Sequence, residues 1–199
     1  MIYVFMGKSS AGKDHIVKEV LKANPNVELA VSHTSRPMRK GETNGVEYHF
    51  ISKEEFLKRQ QNGYFIETRK YDTFDLNGNK DTWYYGLSYD ALKDSRAKNY
   101  AVILDLQGLN ELVGALQNQE IEIIYIKADR NIRMARALNR EGKMTDEQIK
   151  EVERRFVADD LDFPNDILEN MDISILSNNN LDELYNNLEF LNKMINKNQ

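Results

Sequence analysis

The chain has 199 residues, 41% hydrophobic and 30% charged, with a formal net charge of −5. That length suits one domain with a sizeable core, and the composition argues against disorder. The absence of cysteine excludes a disulfide framework and a thiolate metal site. Three scattered histidines (His15, His33, His49) argue against a histidine-rich one, and the negative charge argues against a general field for a nucleic acid polymer.

Ile2 to Phe5 is a short apolar run ending at Gly7, which reads as a buried strand. It has no basic leader and no small-residue cleavage site, and no stretch reaches the ~18 apolar residues of a membrane span. A reducing, cytoplasmic setting without membrane contact is therefore expected. A helix is expected from Gly12 to Ala23, with Ile16, Val17, Val20 and Leu21 on one face, and a strand over Val27 to Ser32. Ser52 to Glu55 has capping-box spacing and should open a helix to Gln61. After Gly63, Tyr64 to Glu67 reads as a strand. Asn77-Gly78 is a strong hairpin signal, flanked by strand formers at Thr73 to Leu76 and Asp81 to Tyr85.

Ala101 to Leu106 is apolar apart from Asp105, which suits a buried parallel strand with a carboxylate at its end. Burying that carboxylate alone is costly, so a positive partner is expected. Ile121 to Ile126 and Asp172 to Leu176 read as strands. Asp129 to Arg140, Thr145 to Leu161 and Leu181 to Ile195 read as helices. This alternation predicts an α/β fold with a central, mostly parallel sheet covered by helices.

The segment Gly7, Lys8, Ser9, Ser10, Ala11, Gly12, Lys13, Asp14 follows the first strand and opens the first helix. It matches G-x-x-x-x-G-K-[ST] in every place but the last. Glycines permit a tight loop whose backbone N–H groups converge on phosphate oxygens, and the helix N-terminus adds a favourable dipole. Lys13 brings a mobile positive charge. Asp14 stands where a magnesium-holding hydroxyl is usual, and it can hold Mg²⁺ directly or through water.

The run from Ser32 through His33, Thr34, Ser35, Arg36, Arg39, Gly41, Glu42, Gly45 and Tyr48 to Phe50 resembles the guanylate kinase signature S-x-T-[ST]-R-x-x-R-x-G-E-x-x-G-x-x-Y-x-F. Phe65-Ile66-Glu67, Tyr84-Tyr85-Gly86 and Asp105-Leu106-Gln107-Gly108 are similar to further motifs of that family, and the resemblance runs to about residue 128. It implies a P-loop kinase with a small acceptor-binding subdomain (about 32–88), a helical lid (about 129–162) and a core from about 1–31, 89–128 and 163–199. The implied reaction uses ATP and Mg²⁺ to phosphorylate a nucleoside monophosphate, most simply GMP or dGMP. The partners are then small-molecule nucleotides.

The resemblance also implies site residues. Ser9, Ser10, Ala11 and the two glycines bind ATP with Lys13 and Asp14. Arg36 and Arg39 fork onto the acceptor phosphate, helped by Tyr48 and Tyr85. Ser32 and Glu67 meet the guanine edge, and Asp105 reaches the acceptor or a metal-bound water. Lys13 and Arg39 act in catalysis with the lid arginines Arg140 and Arg155, whose rivals are Arg136 and Arg154. Three features depart from the pattern: Asp14, the long link Arg69 to Thr82, and Leu87 where Ser or Thr is usual, with Ser88 one place later as the substitute base contact. These departures leave two alternatives open, a different monophosphate acceptor and a non-catalytic interaction module.

Overall fold

The computed structural model describes residues 1–39, 41–74, 80–141 and 146–197, apart from a few side chains inside helices and strands. Its larger sheet is wholly parallel, in the order β2 (Val27–Leu29), β7 (Asn99–Ile103), β1 (Ile2–Met6), β8 (Ile121–Lys127), β9 (Ser174–Ser177). β1 lies at the centre and is buried on both faces. Ile2, Val4 and Met6 pack to one side with Val102, Leu109 and Leu112, and Tyr3 and Phe5 pack to the other with Ile16, Val20 and Leu191. That two-sided burial explains why the strand reads as a continuous apolar run.

Helices cover both faces. α1 (Lys13–Ala23) buries Ile16, Val17 and Val20, and α7 (Leu181–Lys197) packs with it on one face. α3 (Leu106–Ala115) covers the other. The sequence reading missed α3 and took Asp105 as the end of a strand. β7 instead stops at Ile103, and Asp105 caps α3, its Oδ1 accepting the Gly108 N–H at 2.8 Å.

A smaller four-stranded sheet has the order β4 (His49–Phe50), β3 (His33–Thr34), β6 (Lys80–Ser88), β5 (Phe65–Phe74). β5 and β6 form a long antiparallel hairpin with a register irregularity between Phe65 and Glu67. The expected Asn77-Gly78 turn lies outside the described residues. α2 (Lys53–Gln61) leads into this hairpin. Ser52 caps it as expected, accepting from the Glu55 N–H at 3.1 Å, while the Glu55 carboxylate pairs with Arg59 at 2.6 Å and so does not close a capping box. A short 3₁₀ helix (Tyr89–Leu92) follows β6.

α4 (Arg130–Glu141) and α5 (Asp146–Asp162) form a helix pair with a small core of Ala137, Val152 and Phe156, and a short α6 (Asn165–Glu169) leads to β9. The hairpin reaches this pair, since the Thr73 hydroxyl donates to Glu151 of α5 at 3.3 Å. Among the described residues no helix is long and apolar enough to cross a membrane.

His33 is buried in the smaller sheet, its ring 4.8 Å from that of His49, and its Nδ1 is buried without a hydrogen-bond partner. Burial first, then the charges of His49 and Arg59, push its pKa down from 6.5 to about 4. The folded chain therefore holds His33 neutral, whereas the unfolded chain takes up a proton below about 6.5. The stability involved is in place above that pH and is lost as pH falls towards 4, to a limit of about 3 kcal/mol. A His33→Phe variant should lose less urea-unfolding free energy than the unchanged chain between pH 7 and pH 4.5. An equal loss would remove His33 as the cause.

Candidate active site

The loop between β1 and α1 is shaped by backbone that glycine alone adopts easily. Gly7 and Gly12 have φ of 147° and 99°, and a Cβ on Gly7 would lie 2.3 Å from the Ile126 carbonyl oxygen. Ser10 also takes a positive φ of 60°. The Ala11 carbonyl accepts from Asn178 Nδ2 at 2.8 Å and from Arg136 at 3.2 Å, so the loop is fastened at its crest. Lys13 lies along the loop, its Nζ donating to the carbonyls of Gly7 (2.5 Å) and Lys8 (3.1 Å). Burial lowers its pKa, opposed by the nearby charges of Asp14 and Asp159.

One carboxylate sits on this loop already. Asp159 of α5 accepts the Ser9 backbone N–H and the Ser9 hydroxyl, both at 2.9 Å. It is also paired at 3.0 Å with Arg133, which donates to the Ser9 carbonyl at 3.2 Å and lies over the Phe156 ring at 4.4 Å. Lys8 pairs with the adjacent Asp160 at 2.6 Å. The Ser9 N–H and hydroxyl thus already hold the two oxygens of an anion, chemistry that suits phosphate oxygens as well.

These contacts revise the choice of lid arginines. Arg133 and Arg136 of α4 touch the loop. Arg140 lies on α4, but its side chain is outside those described. Arg155 is half-buried on α5, where its charge acts on Glu151, and Arg154 is bound to the same Glu151 by two contacts of 2.8 Å. Sequence reasoning did not single out Arg133. Its three-residue spacing to Arg136, which puts both on one helical stripe, was the usable signal.

A second group of expected site residues forms an arginine and tyrosine cluster. Arg36 is buried and fixed by Glu42 through bidentate contacts of 2.7 and 3.0 Å, with its guanidinium over the rings of Tyr48 and Phe50 at 5.5 Å. The pair holds Arg36 charged despite its burial. The Arg39 backbone N–H donates to the same Glu42 at 2.6 Å, and its side chain is exposed. Tyr48 and Tyr85 meet edge to face at 5.7 Å. Burial pushes the Tyr48 hydroxyl up to about 12, aided by the charges of Tyr85 and Asp14. Asp14 is exposed in the first turn of α1, and its charge acts on both Tyr48 and Lys13.

Glu67 and Asp105 come together around one cation, Arg69, which supplies the positive partner expected for Asp105. Arg69 donates through Nε and Nη2 to Glu67 at 2.9 and 3.3 Å, and through Nη1 to Asp105 at 3.0 Å. Glu67, fully buried, also accepts the Leu87 N–H at 3.0 Å, and Asp105 accepts the Tyr71 hydroxyl at 2.9 Å. Burial favours neutral Asp105, but Arg69 and the Gly108 N–H outweigh it and hold the group below the usual carboxylate range.

Two sequence expectations are corrected here. A metal at Asp105 would sit against a resident guanidinium on oxygens already committed, so the metal role does not fit that residue. Ser88 is a poor substitute for the hydroxyl lost at Leu87, because it is buried and its Oγ caps the 3₁₀ helix, accepting from the Ala91 N–H. Ser32 is half-buried just before β3, with its carbonyl accepting the His49 N–H at 2.9 Å. Among the described residues no group of three or more His, Cys, Asp or Glu side chains is arranged to hold a metal ion. Asp14 alone fits magnesium, which commonly takes one or two carboxylates and completes its shell with water and substrate phosphates.

Residues 1–196 match the family model described as guanylate kinase. Guanylate kinases from Pseudomonas fluorescens (strain Pf0-1) and Aliivibrio fischeri are each 34% identical to this chain, over 74% and 73% of it and over 68% and 67% of their own lengths. The guanylate kinase of Neisseria gonorrhoeae is 38% identical over 58% of the chain and 53% of its own length. A crystal structure of guanylate kinase from Anaplasma phagocytophilum covers all of the chain, with 86% of its own length matched, a TM-score of 0.64 and 20% identity, a likeness of fold.

Asp159 competes for the anion cradle, so removing its charge should strengthen anion binding there. Inorganic pyrophosphate, titrated by calorimetry, should bind an Asp159→Asn variant about tenfold more tightly than the unchanged chain, the loss of one charge-assisted competitor. Unchanged affinity would mean that the Ser9 N–H is not part of the anion site.

Proposed function

The chain belongs to the guanylate kinase family, and we propose that it moves the γ-phosphoryl group of ATP to the phosphate of GMP or dGMP. The observation that carries the reading is the presence of two groups suited to phosphates, with the charge of Asp14 acting on Lys13 of the first and Tyr48 of the second. One is the Gly7 to Asp14 loop with its carboxylate-filled cradle; the other is Arg36 beside Tyr48 and Tyr85.

The chemistry is a displacement in line. An oxygen of the acceptor phosphate forms a bond to the γ-phosphorus, and the bond from that phosphorus to the β–γ bridging oxygen breaks. ADP leaves with the electron pair. No proton need move when the acceptor phosphate is a dianion. Little covalent work falls to the protein, so its contribution is positioning and charge stabilisation.

In this reading the loop amides and Lys13 bind the ATP phosphates, with Lys13 leaving its carbonyl partners for them. Asp14 is the side chain that would hold Mg²⁺, which when bound would neutralise charge on the β- and γ-phosphate oxygens. Arg36, preset by Glu42, orients the acceptor phosphate with Arg39, Tyr48 and Tyr85. Residues 32–88 form the acceptor-binding subdomain and 129–162 the lid, which brings Arg133 and Arg136, with Arg140 and Arg155, over the phosphates and excludes water.

Replacing Lys13 by Ala should lower the rate of GMP-dependent ADP release by on the order of 10²- to 10³-fold, the loss typical of one preorganised charge donor. The circular dichroism spectrum should be unchanged. Retained turnover in the folded variant would overturn the assignment.

A further inference from the structure

A guanine has two kinds of edge. N1–H and the 2-amino group donate; O6 and N7 accept. Two buried carboxylates side by side would suit the donating edge. In this chain those carboxylates, Glu67 and Asp105, already share one planar donor array, the Arg69 guanidinium. Three of its N–H groups are committed: Nε and one on Nη2 to Glu67, and one on Nη1 to Asp105. Guanidinium has five, so one on each terminal nitrogen remains. Arg69 lines a cavity of about 820 Å³ with Tyr71, Asp105, Gln107 and Asp162.

The surroundings reinforce this arrangement. Arg69 pairs across the hairpin with Tyr85, one of the acceptor-phosphate residues, so it stands beside where an acceptor would lie. Leu87 brings no hydroxyl, and its N–H is spent on Glu67. Ser88 is spent as a cap. Displacing Arg69 would strand two buried carboxylates, one of them without any exposed side-chain surface.

We propose that Arg69 is a specificity-determining residue, which reads the acceptor base through its accepting edge with the two uncommitted N–H groups, while Glu67 and Asp105 hold its fork in place. This rests on the nucleoside monophosphate kinase reading above. A paired arginine facing O6 and N7 is a good geometric match for guanine. It is equally good for hypoxanthine, which keeps both atoms and lacks only the 2-amino group. Adenine presents a donating amino group in place of O6 and is disfavoured. The chain thus selects an oxygen at the six position and disregards the two position.

The test compares GMP, IMP and AMP, by calorimetric binding and by ATP-coupled turnover. GMP and IMP should bind with dissociation constants within about tenfold of one another, and AMP at least tenfold more weakly. An Arg69→Lys variant keeps the charge between the carboxylates but loses the fork. It should stay folded and lose its preference for GMP and IMP over AMP by about tenfold or more, whereas a merely structural Arg69 would leave that preference unmoved. IMP binding a hundredfold or more weaker than GMP overturns the proposal, because the 2-amino group is then being read. Should Arg69→Lys fail to fold, the GMP to IMP ratio of the unchanged chain still decides. Equal binding of GMP and IMP without any turnover would uphold Arg69 and defeat the kinase reading; turnover of GMP with rejection of IMP would do the reverse.

Discussion

A charge taken out of water has to meet its opposite, and in this chain that requirement organises the cleft. Arg36 is buried because Glu42 accepts from both of its terminal nitrogens. Arg133 is buried because Asp159 meets it beside the loop. Arg69 is buried because Glu67 and Asp105 share it. Unpaired, any of these arginines would face a heavy desolvation penalty. Paired, each becomes a fixed donor array whose direction is set before a ligand arrives. The scaffold of parallel strands supplies the walls, but these three ion-paired groups fix where the guanidinium donors point.

The phosphate loop illustrates how local and distant parts of the sequence divide the task. Its curvature is local, written in Gly7 and Gly12 and in the strand that precedes them. Its electrostatic setting is not. Ser9 meets Asp159, and Ala11 meets Asn178, Arg136 and, through packing, the centre of the core. A loop whose curvature is local is therefore held by groups that are far away in the sequence.

That division explains what could be read from sequence. The loop, α1 and the buried central strand were legible because each follows from short-range pattern: glycine spacing, an apolar stripe, an unbroken apolar run. The need of Asp105 for a positive partner was legible too, from the cost of burial alone. The identity of that partner was not, since Arg69 is 36 residues away and nothing local marks it. α3 was overlooked although Leu106, Leu109 and Leu112 have helical spacing, because the apolar run into Leu106 gives no sign of where β7 ends. The lid arginines were ambiguous for a geometric reason. A helix carrying Arg130, Arg133, Arg136 and Arg140 presents a different one to its neighbour for each small rotation about its axis, and only packing fixes that rotation.

The fastening of the loop also bears on how the chain comes into being. Asn178 closes onto Ala11 across 167 residues of sequence, and Asp159 onto Ser9 across 150. A ribosome, working towards the C-terminus, makes Ser9 of the glycine loop 150 residues before Asp159, and Asn178 later still. Until then the nascent loop has its curvature but none of its clamps, so its final shape waits on residues that are far away in the chain.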